Sequence, residues 1–252
     1  GPAARPLRLG VANTPETRPV EVGDGSDLSI SIGDYLKTIW RVAQGGSAAT
    51  GDIARELGVT APSVTGMLVR MKGLGLVNYQ PYKGAELTEQ GRREVMRLLR
   101  RHRVLETFMI EHLGFGWDEV HLEAERMEHA MSDEFTDRLA RHLGHPSFDP
   151  HGDPIPRSDG SMPASPDSPL ADVPVGATFR VHRVLTQDPE TLSYLTALGI
   201  EPGCELLIVG VEPTGKLQRV RPLGGVSRRG ERVAEFAIST ELAGAILGEI
   251  HP

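Results

Sequence analysis

Cysteine is nearly absent from this chain of 252 residues, with Cys204 the single one. One thiol excludes an intramolecular disulfide framework and any zinc or iron–sulfur site built on a cysteine cluster. It also fits a reducing compartment. Aromatic residues make up only 5%, so aliphatic side chains must fill most of any core. No run of about 18 apolar residues occurs, which excludes a helical membrane span. The opening residues lack the apolar stretch of a secretion signal, and a cytoplasmic location is expected. There is no His-Glu-x-x-His run, Gly-rich phosphate loop or nucleophile elbow. What is present, 39% hydrophobic and 24% charged residues, can bury a core, and the length suits two modest domains.

The net charge of −7 conceals a strong asymmetry. Tyr35 to Arg103 carries 12 Lys/Arg against 5 Asp/Glu, a net of +7. Val104 to His145 carries 3 Arg against 10 Asp/Glu, a net of −7, with five histidines. The first half can meet phosphates. The second can meet a divalent metal.

Residues 1–26 hold Pro, Gly and Asp without periodicity and read as a flexible arm. Ile32, Tyr35, Leu36, Ile39 and Trp40 then fall at helical spacing. Thr50 is a candidate cap for a helix over Gly51–Leu57. Thr60 caps a second helix, with Pro62 in its first turn. Two strand-like runs flank Pro81-Tyr82-Lys83-Gly84, a hairpin signal. A long helix starts at Thr88 and runs to about His112, and another is expected from Trp117 to about Leu143. Eight prolines between Gly144 and Val175 read as a linker. Short strands at Thr178–Leu185, Glu205–Val211, Gln218–Pro222 and Glu231–Ile238, with one helix at Leu192–Ala197, suggest a small β-barrel.

Two short helices joined at Gly58-Val59-Thr60 and followed by a hairpin make the pattern of a winged helix-turn-helix. The second helix would enter the major groove. Thr60, Ala61, Pro62, Ser63, Thr65 and Gly66 would meet base edges and thymine methyls. Arg70, Lys72, Tyr82 and Lys83 would hold phosphates. A winged helix can also serve protein contacts alone; the local positive charge favours DNA.

His121, Glu125, Glu128 and His129 lie at 0, 40, −20 and 80° around a helix of about 100° per residue. Four potential ligands thus share one stripe. His102 and Glu106, at i and i+4, share a face of the preceding helix. Two antiparallel helices could turn these stripes toward each other and hold a metal. A solvated acidic face with incidental histidines is the bland alternative.

At these residues the chain resembles the diphtheria-toxin-repressor family of metal-dependent transcriptional regulators, from about Ile32 to its end. The resemblance rests on Asp34 to Trp40, Pro62 to Thr65, Val120 to Ser132, Gly152 to Pro156 and Leu195 to Gly203. It implies an α+β multidomain architecture. A winged helix-turn-helix domain would span 27–98 and a helical dimerisation and metal-binding domain 99–150. A Pro-rich linker at 151–174 would lead to an SH3-like (FeoA-like) β-barrel at 175–252. It also implies a primary metal site of Asp34, Glu125, Glu128 and His129, and an ancillary site of His102, Glu106 and His121. In longer members the third domain adds two oxygen ligands, which the ungapped match places near Asp188, Glu190 and Thr191, where a glutamine of those members is absent. Iron-responsive members carry Met and Cys where this chain has Asp34 and Glu125. Hard carboxylates suit Mn(II) as the effector, with Fe(II) second. Zn, Co, Ni or Cd could bind in a tube. Manganese-type members carry a further carboxylate one turn after Asp34, where this chain has Lys37, so two separated sites are expected rather than a binuclear one.

The expected function is a homodimeric repressor of metal-uptake genes that binds a pseudo-palindromic double-stranded DNA operator, with no membrane partner and no enzymatic activity. The rival readings are a metallohydrolase and a metal-buffering or protein-interaction module. Neither requires a basic winged helix.

Overall fold

In a computed structural model, which describes residues 30–165, 167–224 and 234–251, the apolar stripe near the start forms α1 (Ile30–Ala43). Leu36 and Ile39 are fully buried on it. The expected arm at 1–26 lies outside the described residues. α2 (Thr50–Leu57) follows, closed by Gly58 in the left-handed region (φ 64°). Thr50 is the first residue of that helix rather than its cap; Ala49 holds the cap position and offers no side-chain acceptor. α3 (Ala61–Gly73) is capped as expected, the Thr60 hydroxyl accepting from the N–H of Ser63.

β1 (Val77–Gln80) and β2 (Gly84–Leu87) form the antiparallel wing. Ala48 exchanges two backbone hydrogen bonds with Ala85 (2.8 and 2.9 Å), stitching the wing to the loop before α2. Gly84 permits that approach: with φ at 86°, a Cβ there would lie 2.4 Å from the Ala48 carbonyl oxygen. Ile53, Val64, Leu68, Met71, Leu76 and Val95 close one core beneath the three helices and the wing.

α4 (Glu89–Leu113) is the long helix, capped by Thr88 on the Gly91 N–H (3.0 Å) and ended by Gly114 (φ 76°). The single helix expected from Trp117 to Leu143 is two: α5 (Val120–Glu128) and α6 (Asp133–His142). The break has a local cause. The Ser132 hydroxyl accepts from the Phe135 N–H (3.1 Å), and Asp133 and Glu134 occupy the first turn. That N-terminal signature outweighs an apolar period that carries through it.

The remaining elements are β3 (Ser168–Pro169), β4 (Thr178–Val184), α7 (Pro189–Ala197), β5 (Glu205–Val211), β6 (Leu217–Leu223), β7 (Phe236–Ser239), α8 (Thr240–Gly244) and β8 (Ile246–His251). They form one antiparallel sheet in the order β3-β8-β4-β5-β6-β7. β3 and β8 were not legible as strands. The strand expected over Glu231–Ile238 begins, among the described residues, at Phe236.

The Pro-rich segment is no loose tether. His151 and Ile155 are buried, and Arg100 and Arg103 of α4 donate to the carbonyls of Pro156 (2.9 Å) and Pro154 (2.6 Å). Met162 packs on the winged-helix core. Proline cannot donate to a sheet, but its carbonyl accepts, so a ladder-free segment can still be strapped down by arginines. At Gly152 (φ 84°) the strap meets β4 so closely that a Cβ would lie 1.8 Å from the His182 carbonyl oxygen. Trp117, from the turn before α5, enters the barrel core beside Phe179 and Leu195 and donates its indole N–H to the Thr196 hydroxyl. A Gly152→Ala protein must therefore part the strap from β4. Limited proteolysis should show the barrel released about 5- to 150-fold faster than in the parent, the scale of a substitution costing roughly 1–3 kcal/mol at a strained backbone position. Unchanged cleavage would mean that this close approach does not hold the barrel in place.

Candidate metal centre

α1, α4 and α5 converge so that two groups of ligand-type atoms face one another. In the first, Asp34 of α1 meets Glu128 and His129 at the end of α5, with one ligand atom of each within 4.8 Å of the others. His129 Nε2 lies 3.6 Å from Asp34 Oδ1 and 3.4 Å from Glu128 Oε1. The imidazole reaches α1 because Gly33 leaves room: a Cβ there would stand 2.8 Å from His129 Cε1. Glu125 is more exposed. Its Oε1 lies 3.6 Å from His121 Nε2 and 3.4 Å from Lys37 Nζ, so it stands between the two groups and outside the tight trio.

The second group is His102, Glu106 and His121. His102 Nε2, His121 Nδ1 and Glu106 Oε1 make a triangle with edges of 2.9, 2.9 and 3.1 Å. Such edges suit three donors on one face around a single cation with bonds of about 2.1 Å. The other face of Glu106 carries donors that sequence reasoning missed. Asp149 and His151 of the strap come within 4.8 Å of it. Glu106 Oε2 and His151 Nδ1, 3.5 Å apart, are both buried without a hydrogen-bond partner. A buried carboxylate oxygen and ring nitrogen left without partners fit a cation-binding role. The signal was there in Asp149-Pro150-His151, an acid and a histidine inside a proline-rich segment, but a linker reading gave no reason to fold it back onto α4.

One imidazole joins the two groups. His102 Nδ1 contacts Glu128 Oε2 at 2.6 Å while its Nε2 faces Glu106 and His121. Burial alone would lower the His102 pKa, but Glu106 and Glu128 outweigh it and raise it to about 10. Burial likewise works against Glu106 ionisation, yet the surrounding histidines hold its pKa well below the ordinary carboxylate value. Asp149 is raised to about 7 by burial and by the facing Glu106 and Asp153. A histidine ligates only when neutral, so loading the second group must displace a proton from His102. The sign is fixed: with its metal-free pKa near 10, and that of His151 near 9, each unit of pH rise between about 6.5 and 8.5 should tighten binding there at least about tenfold. Metal titrations at several pH values check this; a flat profile would refute the imidazolium assignment.

Asp188 and Glu190 do not join these groups. Asp188 caps α7, its Oδ2 accepting from the Thr191 N–H (2.9 Å) and hydroxyl (2.6 Å), and Glu190 stands in the first turn of the same helix.

The predicted DNA-facing residues lie on α3, its cap and the wing. Thr60, Ala61, Pro62, Ser63, Thr65, Gly66, Arg70, Lys72, Tyr82 and Lys83 are all exposed. Tyr82 stands at the wing tip with φ at 65°. Lys72 donates to the Tyr79 carbonyl (3.1 Å), bracing α3 against the wing.

Comparison with known proteins accounts for all three parts. Residues 27–85 match the family described as iron dependent repressor, N-terminal DNA binding domain. Residues 88–157 match its metal binding and dimerisation domain, and 168–249 match the FeoA domain. The iron-dependent repressor IdeR of Mycobacterium tuberculosis is 32% identical over 187 residues, covering 69% of this chain and 81% of that protein. The diphtheria toxin repressor of Corynebacterium efficiens is 33% identical over 194 residues, covering 73% and 84%. The solved structure of a manganese-dependent transcriptional repressor in complex with manganese superposes with a TM-score of 0.75 at 35% identity, covering 86% of this chain and 98% of that one. With DNA-binding, metal-binding and FeoA parts in the same order, the chain belongs to the diphtheria-toxin-repressor family of metal-dependent transcriptional regulators.

Proposed function

We propose that this protein is a homodimeric repressor that senses Mn(II), with Fe(II) as the second candidate, and controls metal-homeostasis genes by binding a pseudo-palindromic operator. The observation that carries this reading is the meeting of Asp34 with Glu128 and His129. Asp34 belongs to the helix that packs against α2, whereas Glu128 and His129 belong to the helical domain. A divalent cation there supplies an electrostatic cross-link between the two. Asp34, Glu125, Glu128 and His129 are the proposed primary ligands. His102, Glu106 and His121 are the ancillary ones, with Asp149 and His151 as further donors in place of Asp188 and Glu190.

Oxygen-rich donors support manganese, and neither sulfur-bearing side chain type appears among the proposed ligands. α3 presents Thr60 to Gly66 to base edges, while Arg70, Lys72, Tyr82 and Lys83 hold phosphates. Relatives named as iron- or manganese-dependent repressors support this reading over a metallohydrolase or a metal buffer. Among the described residues no helix is long and apolar enough to cross a membrane.

The test is selection of genomic DNA fragments by the purified chain, with chelator and then with Mn(II) or anaerobic Fe(II). Metal-dependent enrichment of one pseudo-palindromic site, lost steeply as salt rises, is expected. Stoichiometric metal binding without enrichment would favour the buffering or enzymatic readings.

A further inference from the structure

Lys37 reaches the three carboxylates proposed as primary ligands. Its Nζ lies 2.6 Å from Glu128 Oε1, 3.4 Å from Glu125 Oε1 and 4.0 Å from Asp34 Oδ1. Three proposed ligands of the primary site thus share one ammonium. Glu128 is fully buried, and its other oxygen is taken by His102 Nδ1 at 2.6 Å. Oε1 is therefore the oxygen that Glu128 can offer to the first group, and Lys37 already holds it. The Lys37 side chain is 16% exposed, while those of Asp34 and Glu125 are 42% and 44% exposed. The ammonium thus sits at the inner end of a cluster whose outer side opens to solvent. A flexible four-carbon stem can carry the charge out along that side without unwinding α1.

Resting on the assignment of Asp34, Glu125, Glu128 and His129 as the primary metal site, we propose that Lys37 is a tethered competitor for it: the ammonium neutralises the carboxylates when no divalent ion is present, must leave them for one to enter, and so sets the affinity of the site. Three carboxylates and one ammonium sum to −2, whereas the carboxylates alone sum to −3. A metal-free site without Lys37 would hold three close like charges. The same residue therefore stabilises the unloaded protein and weakens the loaded one. The consequence is a raised threshold concentration for response, set by a side chain that does not ligate.

The experiment is calorimetric titration of the full-length, chelator-stripped protein with Mn(II), alongside thermal unfolding of the metal-free form. Lys37→Gln removes the charge, and Lys37→Met removes it while keeping the length of the stem. Lys37→Arg keeps the charge. The uncharged variants should bind Mn(II) about tenfold or more tightly at the primary site, as expected when one close charge pair no longer has to be broken. Their metal-free forms should unfold at lower temperature than the parent, and the arginine variant should bind no more tightly than the parent. Parental or weaker Mn(II) affinity in both uncharged variants would overturn the proposal. Asp34→Ala in the same titration separates the two levels. If it abolishes the primary-site transition while Lys37→Gln leaves that transition unchanged, the competitor role alone falls. If it leaves the transition intact, the site assignment falls and the role of Lys37 falls with it.

Discussion

Replacing Asp34 by alanine is expected to leave the protein folded and to remove most of the metal dependence of its DNA binding. The first half follows from exposure and geometry. The Asp34 side chain is 42% exposed, and its nearest side-chain partners are His129 at 3.6 Å and Lys37 at 4.0 Å, so little stability depends on it. The second half follows from its place. Asp34 is the α1 member of a trio whose other members are at the end of α5. Without it a bound cation has no carboxylate grip on the helix that leads into the DNA-binding helices. Metal and DNA that share one conformational equilibrium tighten each other by the same factor, commonly about 5–150-fold. Fluorescence anisotropy with a selected operator fragment, with and without Mn(II), should give a ratio in that range for the parent and about 1–3 for the variant. An unaltered ratio would remove Asp34 from the sensing machinery.

The largest stability effect is expected at Glu128. It is fully buried, and its two oxygens serve Lys37 and His102, each at 2.6 Å. Burial disfavours the carboxylate, yet His102 and Lys37 hold its pKa below the ordinary value, so it is ionised at neutral pH. Glu128→Gln keeps the shape and deletes the charge, leaving an ammonium and an imidazolium with weakened compensation. Breaking one member out of a buried ion network costs on the order of 3 kcal/mol. In a chain of this size that corresponds to a fall of roughly 6–12 °C in the unfolding temperature of the metal-free form. Added Mn(II) should restore less of that loss than it adds to the parent, because the variant has also lost a proposed ligand. A metal-free unfolding temperature within a degree or two of the parent would show that the network around Glu128 is dispensable.

How much of this was legible beforehand depends on whether the cause was local. The cap at Thr60, the αL closure at Gly58 and the wing around Tyr82 are written in a few adjacent residues, and the structure has them where the sequence puts them. The stripe from His121 to His129 and the pair His102–Glu106 do face each other, because α4 and α5 pack together. What was missed required knowledge of distant packing. Asp149 and His151 reach Glu106 only because arginines of α4 strap down a proline-rich segment. β8 pairs with β3 and β4 at long range, and its Gly248 passes against the Arg180 carbonyl, a requirement invisible in a short window. The break between α5 and α6 was legible in principle at Ser132-Asp133-Glu134, and an uninterrupted helical period concealed it.

The seam at Trp117 gives the protein a built-in optical gauge. Only two tryptophans occur in the chain, Trp40 on α1 and Trp117 in the barrel core. The Trp117 indole stacks on the His151 ring with centroids 5.6 Å apart, and the Trp117 backbone carbonyl accepts from His151 Nε2 at 2.6 Å. His151 in turn faces Glu106. With Trp40 replaced by phenylalanine, the remaining emission would come from a single indole wedged between the barrel and the donors around Glu106. Its wavelength and intensity would then follow, without any added dye, whether the barrel is seated on the helices.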